Sequence, residues 1–259
     1  MKYIDPSGNN WWSHFKGWVR EQNPIVRSFL ILPTLASIDP ITFSSMDATT
    51  GGAITLGFFR DGFDGAQKSA ENSFEINMGL FTSDDNRNFW GRSWQLISRF
   101  TWEGAQTSLG YLFSIVYNDF WDVDDVTYFQ GATLVNRNTN IMERGGMTLG
   151  SFILGKNLRA TMDDWTFLHE YGHTLQSRNW GPLYIPVIAL PSGLDYWPGS
   201  GAEPWPDNPD FQKHNLRWYE TGANKSAAKY FEKYYDDFEW DDSRNPRSKD
   251  IARKLRISK

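Results

Sequence analysis

The sequence predicts a mostly helical α+β fold with a small sheet beside one helix that carries a polar, histidine-bearing face. Three observations carry this. Residues 89–118 place apolar side chains at helical spacing. Two runs, Val126–Val135 and Thr148–Leu154, are rich in β-forming residues. The segment after the second run contains His169-Glu170-Tyr171-Gly172-His173 within a helical pattern.

The elements follow in chain order. Tyr3-Ile4-Asp5-Pro6-Ser7-Gly8 is turn chemistry, Pro setting one φ and Gly freeing the next. Across residues 24–65, Pro24, Pro33 and Pro40 and then Gly51, Gly52, Gly57, Gly62 and Gly65 predict short helices and loops. Trp90, Trp94 and Ile97, then Leu109, Leu112, Phe113 and Val116, predict helix broken near Gly104. Val126–Val135 reads as one strand, and Thr148–Leu154, with Gly145-Gly146 before it and Gly155 after, as a second. Asp163 or Asp164 caps a helix from Trp165 to about Arg178, which Gly181-Pro182 stops. A loop rich in Pro and Gly spans 191–209. Asn208-Pro209 then starts a last helix, which runs to Tyr235 with a kink expected near Gly222. Residues 236–242 hold five acids and 244–259 seven bases and one acid, the pattern of a solvated, partly mobile end. The expected organisation is a short opening segment (1–10), one main domain (11–235) and a charged tail (236–259).

Composition narrows the function classes. Of 259 residues, 40% are hydrophobic, 22% charged and 16% aromatic, enough for a packed core. A net charge of −5 argues against a general nucleic-acid binder, which needs a basic surface. The absence of cysteine excludes disulfides, thiolate metal sites and cysteine nucleophiles. No membrane span is expected, because the most apolar early stretch, Ile25–Ile38, is short and carries Arg27 and Pro33. The mixed, polar residues 2–24 do not read as a secretory signal. Asp119, Asp122, Asp124 and Asp125 cluster without the Gly and terminal Glu of an EF-hand and read as a solvated loop.

The chemistry is concentrated in the His169–His173 pentapeptide. Histidines at i and i+4 lie one above the other on a helix face, so both imidazoles reach one metal ion. Glu170 sits beside that ion, where it can take a proton from water. Gln176 and Ser177 continue the polar stripe, while Leu168, Tyr171 and Leu175 form the apolar side. Two of only four histidines in the chain fall in this frame. A catalytic zinc site needs a third protein ligand and an open position. Gln176 and Asn179 stand where a metzincin has Gly and its third ligand, which excludes that class. The leading candidate is Glu220 on the downstream helix, with Asn224 one turn on; His214, Asp195 and Glu203 are the rivals. Tyr184, Tyr196, His214, Arg217 and Tyr219 are candidate donors to a developing oxyanion.

Three resemblances extend this reading. Tyr3-Ile4-Asp5-Pro6-Ser7-Gly8 resembles the close of the core region of RHS (YD-repeat) proteins, after which a variable C-terminal tip domain begins; Asn9 follows where many members carry a hydrophobic residue. Glu220 with Asn224 resembles the gluzincin arrangement, in which a Glu on a second helix ligates zinc and an acid one turn later holds the first His. Asn224 stands in place of that acid, and the 47-residue separation of His173 from Glu220 exceeds that of the thermolysin family. Thr148-Leu149-Gly150, Ile153-Leu154-Gly155, the His169–Gln176 helix and Gly181-Pro182-Leu183-Tyr184 resemble a group of bacterial zincins, several of them RHS tips.

These resemblances imply a zincin-like metallopeptidase domain holding one zinc ion. His169, His173 and Glu220 would be ligands, Asn224 the residue holding His169, and Glu170 the catalytic base. The strand before the helix would be the edge that pairs with extended peptide, here Thr148, Gly150 and Phe152. The implied activity is hydrolysis of peptide bonds in a protein substrate. The implied context is a toxin or effector tip of an exported or cell-surface parent, with the RHS shell or an immunity protein as partner. The alternatives are a non-catalytic zincin-like binding module and an amidase acting on cell-wall peptide.

Overall fold

The computed structural model describes residues 40–139, 144–195 and 214–251. The opening turn at 3–8, the helix start at Asn208-Pro209, Tyr196 and Glu203 lie outside these residues. The described residues are mostly helical with one four-stranded sheet. They fall into two compact units: one holds residues up to Asn77 together with Asn118–Trp121, the other Met78–Tyr117 together with residues from Asp122 onward.

Of the stretch 24–65, expected to form short helices and loops, the described residues from Pro40 on lie in one long helical element, α1 (Pro40–Gly79), broken only at Asp61 and Gly62 and mostly in the first unit. Gly62 has φ +67°, which lets the chain reverse there without a Cβ penalty. The two arms lie side by side, because Thr50 Oγ1 meets Ser73 Oγ at 3.1 Å and Asn77 Nδ2 donates to the Met46 carbonyl at 3.3 Å. Of the glycines that suggested loops, Gly57 and Gly65 serve this close approach. A Cβ on Gly57 would strike the Gly65 backbone and lie 2.5 Å from Ser69 Oγ.

The second unit holds α2 (Phe89–Phe100) and all but the last turn of α3 (Gly104–Phe120), separated where the sequence places the break. Their apolar stripes face outward. Phe89, Trp90, Trp94 and Ile97 are exposed, as are Leu109, Leu112, Phe113 and Val116, while Gln95, Ser98, Arg99, Gln106 and Thr107 are buried. The inward polar face clips loops in place. Arg99 donates to the carbonyls of Gly79, Leu80 and Gly131, Gln95 accepts from the Asp84 amide at 2.9 Å, and Gln106 donates to the Gly181 carbonyl at 2.8 Å.

Each run expected as one strand is a hairpin. The first splits into β1 (Asp125–Phe129) and β2 (Ala132–Arg137), the second into β3 (Gly145–Leu149) and β4 (Phe152–Lys156). Gln130 and Gly131 both have positive φ, as a two-residue turn of type I′ requires. At the second turn Gly150 takes φ +62° before Ser151. The sheet order is β1-β2-β4-β3, with β2 and β4 parallel and both hairpins antiparallel. β3 is therefore an edge strand and β4 an interior one. Of the three residues expected on a substrate edge, only Thr148 lies on it; Gly150 is in the turn and Phe152 is buried on β4.

Helix α4 (Trp165–Trp180) follows the second hairpin. Of the two candidate caps, Asp164 takes the position. Its Oδ1 accepts from the Phe167 amide at 3.1 Å, and its Oδ2 accepts from the Arg159 amide and Arg144. A 3₁₀ turn at Gly181–Leu183 and a π-helical turn at Ile185–Ala189 lead into α5 (Leu190–Asp195). The last helix, α6 (Trp218–Tyr234), runs straight through Gly222 rather than kinking. It crosses α4 closely, with Gly172 against the Ala223 backbone. Leu134, Ile153, Phe167, Tyr171, Phe231 and Trp240 meet in the core between sheet and helices.

Trp240 belongs to the segment expected to be a solvated tail. The described part of that segment packs onto the domain, because its acids and bases are interleaved with Phe238 and Trp240, whose rings pack against Trp165. No described helix is long and apolar enough to cross a membrane.

Candidate metal centre

Two helices supply the centre. α4 carries His169 and His173 on one face, with ring centroids 4.9 Å apart, and α6 carries Glu220 in its first turn. Glu220 Oε2 lies 3.0 Å from His169 Nε2 and 3.1 Å from His173 Nε2. All three side chains are largely buried. Among the described residues, His169, His173 and Glu220 are the group that could hold a metal ion.

The hydrogens on the two imidazoles are set by a pair of carboxamides. Asn224 donates its amide nitrogen to the Pro246 carbonyl at 3.0 Å, so its Oδ1, 2.7 Å from His169 Nδ1, is the acceptor. Gln176 donates to the Tyr219 carbonyl at 2.8 Å, so its Oε1, 2.8 Å from His173 Nδ1, is likewise the acceptor. Both imidazoles therefore carry hydrogen on Nδ1 and present a lone pair from Nε2. Those lone pairs meet Glu220 Oε2, which has only lone pairs to offer. Two imidazole lone pairs, each about 3 Å from one carboxylate oxygen, need a cation or a proton between them and it. Tetrahedral ligands at about 2.0–2.1 Å from one ion stand about 3.3 Å apart, within a few tenths of the two histidine–Glu220 spacings here.

When a proton takes the place of the ion, it belongs to the pair. Burial opposes charge on His169, but the Glu220 hydrogen bond, the Glu220 and Glu170 charges and the Asn224 bond together raise its pKa to about 9. Burial would raise the Glu220 pKa, yet the two imidazoles hold it well below the usual carboxylate range.

Glu170 is fixed from the sheet side. Thr148 Oγ1 donates to Glu170 Oε2 at 2.6 Å, and the Glu170 stem lies over Gly146 of β3 so closely that a Cβ there would stand 2.7 Å from Cγ. Glu220 is gripped at its other oxygen. Ser192 Oγ donates to Oε1 at 2.7 Å, and His214 Nε2 lies 3.4 Å away. His214 thus faces Glu220 from outside the three-ligand group, and burial lowers its pKa.

The remaining candidates are committed elsewhere. The Tyr184 hydroxyl donates to the Thr148 carbonyl at 3.0 Å, and the Tyr219 hydroxyl to Asp195 Oδ2 at 2.6 Å. Arg217 pairs with the same Asp195 oxygen at 2.8 Å, which takes Asp195 away from the ligand set. Asp124 and Asp125 serve the sheet, one accepting from the Asn138 amide and the other from Asn136.

Four contributors were not read as parts of a site from sequence: Gln176, Ser192, Gly146 and Pro246. Only Gln176 left a usable signal, three residues after His173 on the same face. Comparison of the chain with protein-family models, curated proteins and solved structures gives no match. The case for function therefore rests on the chemistry of these side chains.

Proposed function

We propose that this chain is a zinc-dependent metallopeptidase of zincin-like type, with His169, His173 and Glu220 holding one zinc ion and Glu170 as the catalytic base. The observation that carries the reading is the convergence of three lone-pair atoms, their tautomers locked, next to a carboxylate pinned by Thr148. The donor set of two imidazoles and one carboxylate is one that zinc takes in hydrolytic sites. When bound, zinc would act as a Lewis acid that lowers the pKa of a water toward about 7.

The chain's own residues do the rest. Glu170 takes the proton of the attacking water and passes it to the leaving amine nitrogen. Thr148 holds the carboxylate for both transfers. Gly145, Gly146 and Met147 give β3 an open edge beside Glu170, where an extended peptide can pair through its main chain. Tyr184 and Tyr219 spend their hydroxyl hydrogens elsewhere and Arg217 is paired with Asp195, which leaves His214, on the outer oxygen of Glu220, as the candidate oxyanion donor among the described residues. The RHS-like opening and the toxin or effector context belong to the same proposal.

The test begins with the zinc content of natively purified protein by elemental mass spectrometry. About one zinc per chain is expected, and none in Glu220→Ala. Glu170→Gln should keep the metal and lose peptide hydrolysis. Metal without any hydrolysis of peptides or cell-wall fragments would point instead to a binding module. No uptake of added zinc would end the enzyme reading.

A further inference from the structure

The charged C-terminal segment runs up against the metal centre from behind α6, and its contacts there are specific. Pro246 accepts from Asn224 Nδ2 at 3.0 Å. Proline has no amide hydrogen, so at this position the strand of chain can only accept. An acceptor there fixes which end of the Asn224 carboxamide faces it, and hence which end faces His169. Reversal of the amide would set an NH₂ against the Nδ1 hydrogen of His169 and a carbonyl against a carbonyl at Pro246.

The residues on either side of Pro246 are themselves anchored. Asn245 Nδ2 donates to the Trp165 carbonyl at 2.6 Å, and the Asn245 carbonyl accepts from Trp240 Nε1 at 2.8 Å. The Arg247 amide and guanidinium both donate to Asp242, at 3.0 and 2.8 Å. Trp240 in turn is buried in the core. The Pro246 carbonyl is thus held at a fixed place by contacts that touch neither histidine nor Glu220.

We infer that residues 240–247 form a strap whose function is to lock the Asn224 amide, so that Pro246 is a positioning residue for the metal ligand His169. The inference rests on the reading of His169, His173 and Glu220 as zinc ligands. Its content is a coupling: loosening the strap weakens metal binding through Asn224 and by no other route.

A double-mutant cycle on the full chain tests this, with zinc affinity read by competition with a chromogenic chelator. Asp242→Ala removes the anchor of Arg247, and Asn245→Ala removes the anchor on Trp165. Each is expected to weaken zinc about tenfold, the low end of what partners of metal-bound histidines contribute. Asn224→Ala is expected to weaken it by about ten- to a hundredfold. In the Asn224→Ala background, either strap substitution should change the affinity by less than about twofold. Full additivity in that background, or unchanged affinity in both strap variants, would overturn the inference while leaving the metal centre standing. No zinc binding by the unaltered chain would overturn both. Circular dichroism separates loss of fold from loss of the lock. Asn245→Ala deletes a single hydrogen bond, so it remains measurable if Asp242→Ala does not fold.

Discussion

Gly146→Ala displaces the proposed catalytic carboxylate while leaving the candidate metal ligands in place. A Cβ at residue 146 would lie 2.7 Å from Glu170 Cγ, 2.9 Å from Cδ and 3.0 Å from Oε1. Unstrained carbon contacts lie at about 3.5–4.0 Å, so the Glu170 side chain must retreat by roughly 0.8 Å. That retreat also pulls Oε2 away from Thr148 Oγ1, now at 2.6 Å. Displacing a catalytic group by about 1 Å costs on the order of 10²-fold in rate. The backbone takes alanine, but the buried Glu170 carboxylate loses its hydrogen bond from Thr148, which costs about 1–3 kcal/mol. Gly146 is exposed and is not among the glycines with positive φ, so alanine fits its backbone and restricts the unfolded chain. The assay is kcat/KM on a mixed fluorogenic peptide library, with zinc content and Tm measured on the same samples. Expected are about one zinc, a Tm lower by a few degrees and a rate lower by about two orders of magnitude. A variant with full zinc and the unaltered rate would refute the assignment of Glu170 as a base held in place by β3.

Two further outcomes follow from the same geometry. Tyr219→Phe should leave kcat within a few-fold, because its hydroxyl is given to Asp195; loss of an oxyanion donor would instead cost about 10²–10³-fold in steady-state assays. In chelator-treated protein, the pKa of His169 is raised from 6.5 to about 9, so its stabilisation is complete below about pH 6.5 and is lost as pH rises through 9. Glu220 is shifted the other way, and its stabilisation is lost only as pH falls through its depressed pKa. Differential scanning fluorimetry should therefore show Tm falling by several degrees from pH 6.5 to 9 without zinc, and a flatter profile with it, since bound metal displaces the proton.

The parts of this chain that sequence reading captured are those where one local rule decides the outcome. Asp164, the α4 span and the Gly181 stop follow from capping chemistry, and the common face of His169 and His173 follows from helix periodicity. Glu220 and Asn224 were reachable because a four-residue spacing on a helix puts two polar groups on one line. The misses arise where a rule has two readings. Gln130-Gly131 and Gly150-Ser151 sit inside continuous β-forming runs, so their turn chemistry was outvoted by propensity. Gly57 and Gly65 read as loop breakers, but they let the two arms of α1 touch. The stripe from Trp90 to Val116 gives the helical period without giving its direction, and here the buried side is the polar one. Pro246 could not be found at all, because its part is played by a backbone carbonyl whose neighbours are set by tertiary packing.

The choice of carboxamides around the metal centre explains why such backbone acceptors are needed. With carboxylates holding both histidines, the buried site would add two negative charges to those of Glu170 and Glu220, more than one divalent ion offsets. Asn224 and Gln176 keep the balance near zero: two carboxylates against a charge of +2. Neutral acceptors also polarise the imidazoles less than carboxylates do, so an ion bound there would keep more of its Lewis acidity. A carboxylate, however, presents an oxygen whichever way it turns, and a carboxamide does not. The wrong end of either amide would face an Nδ1 hydrogen with another donor. Each amide therefore requires a fixed acceptor on its nitrogen side, and each has one: the Pro246 carbonyl for Asn224 and the Tyr219 carbonyl for Gln176. Tyr219 immediately precedes Glu220, so the placement that supplies the third ligand also orients the holder of the second histidine. The strap performs the corresponding service for the first.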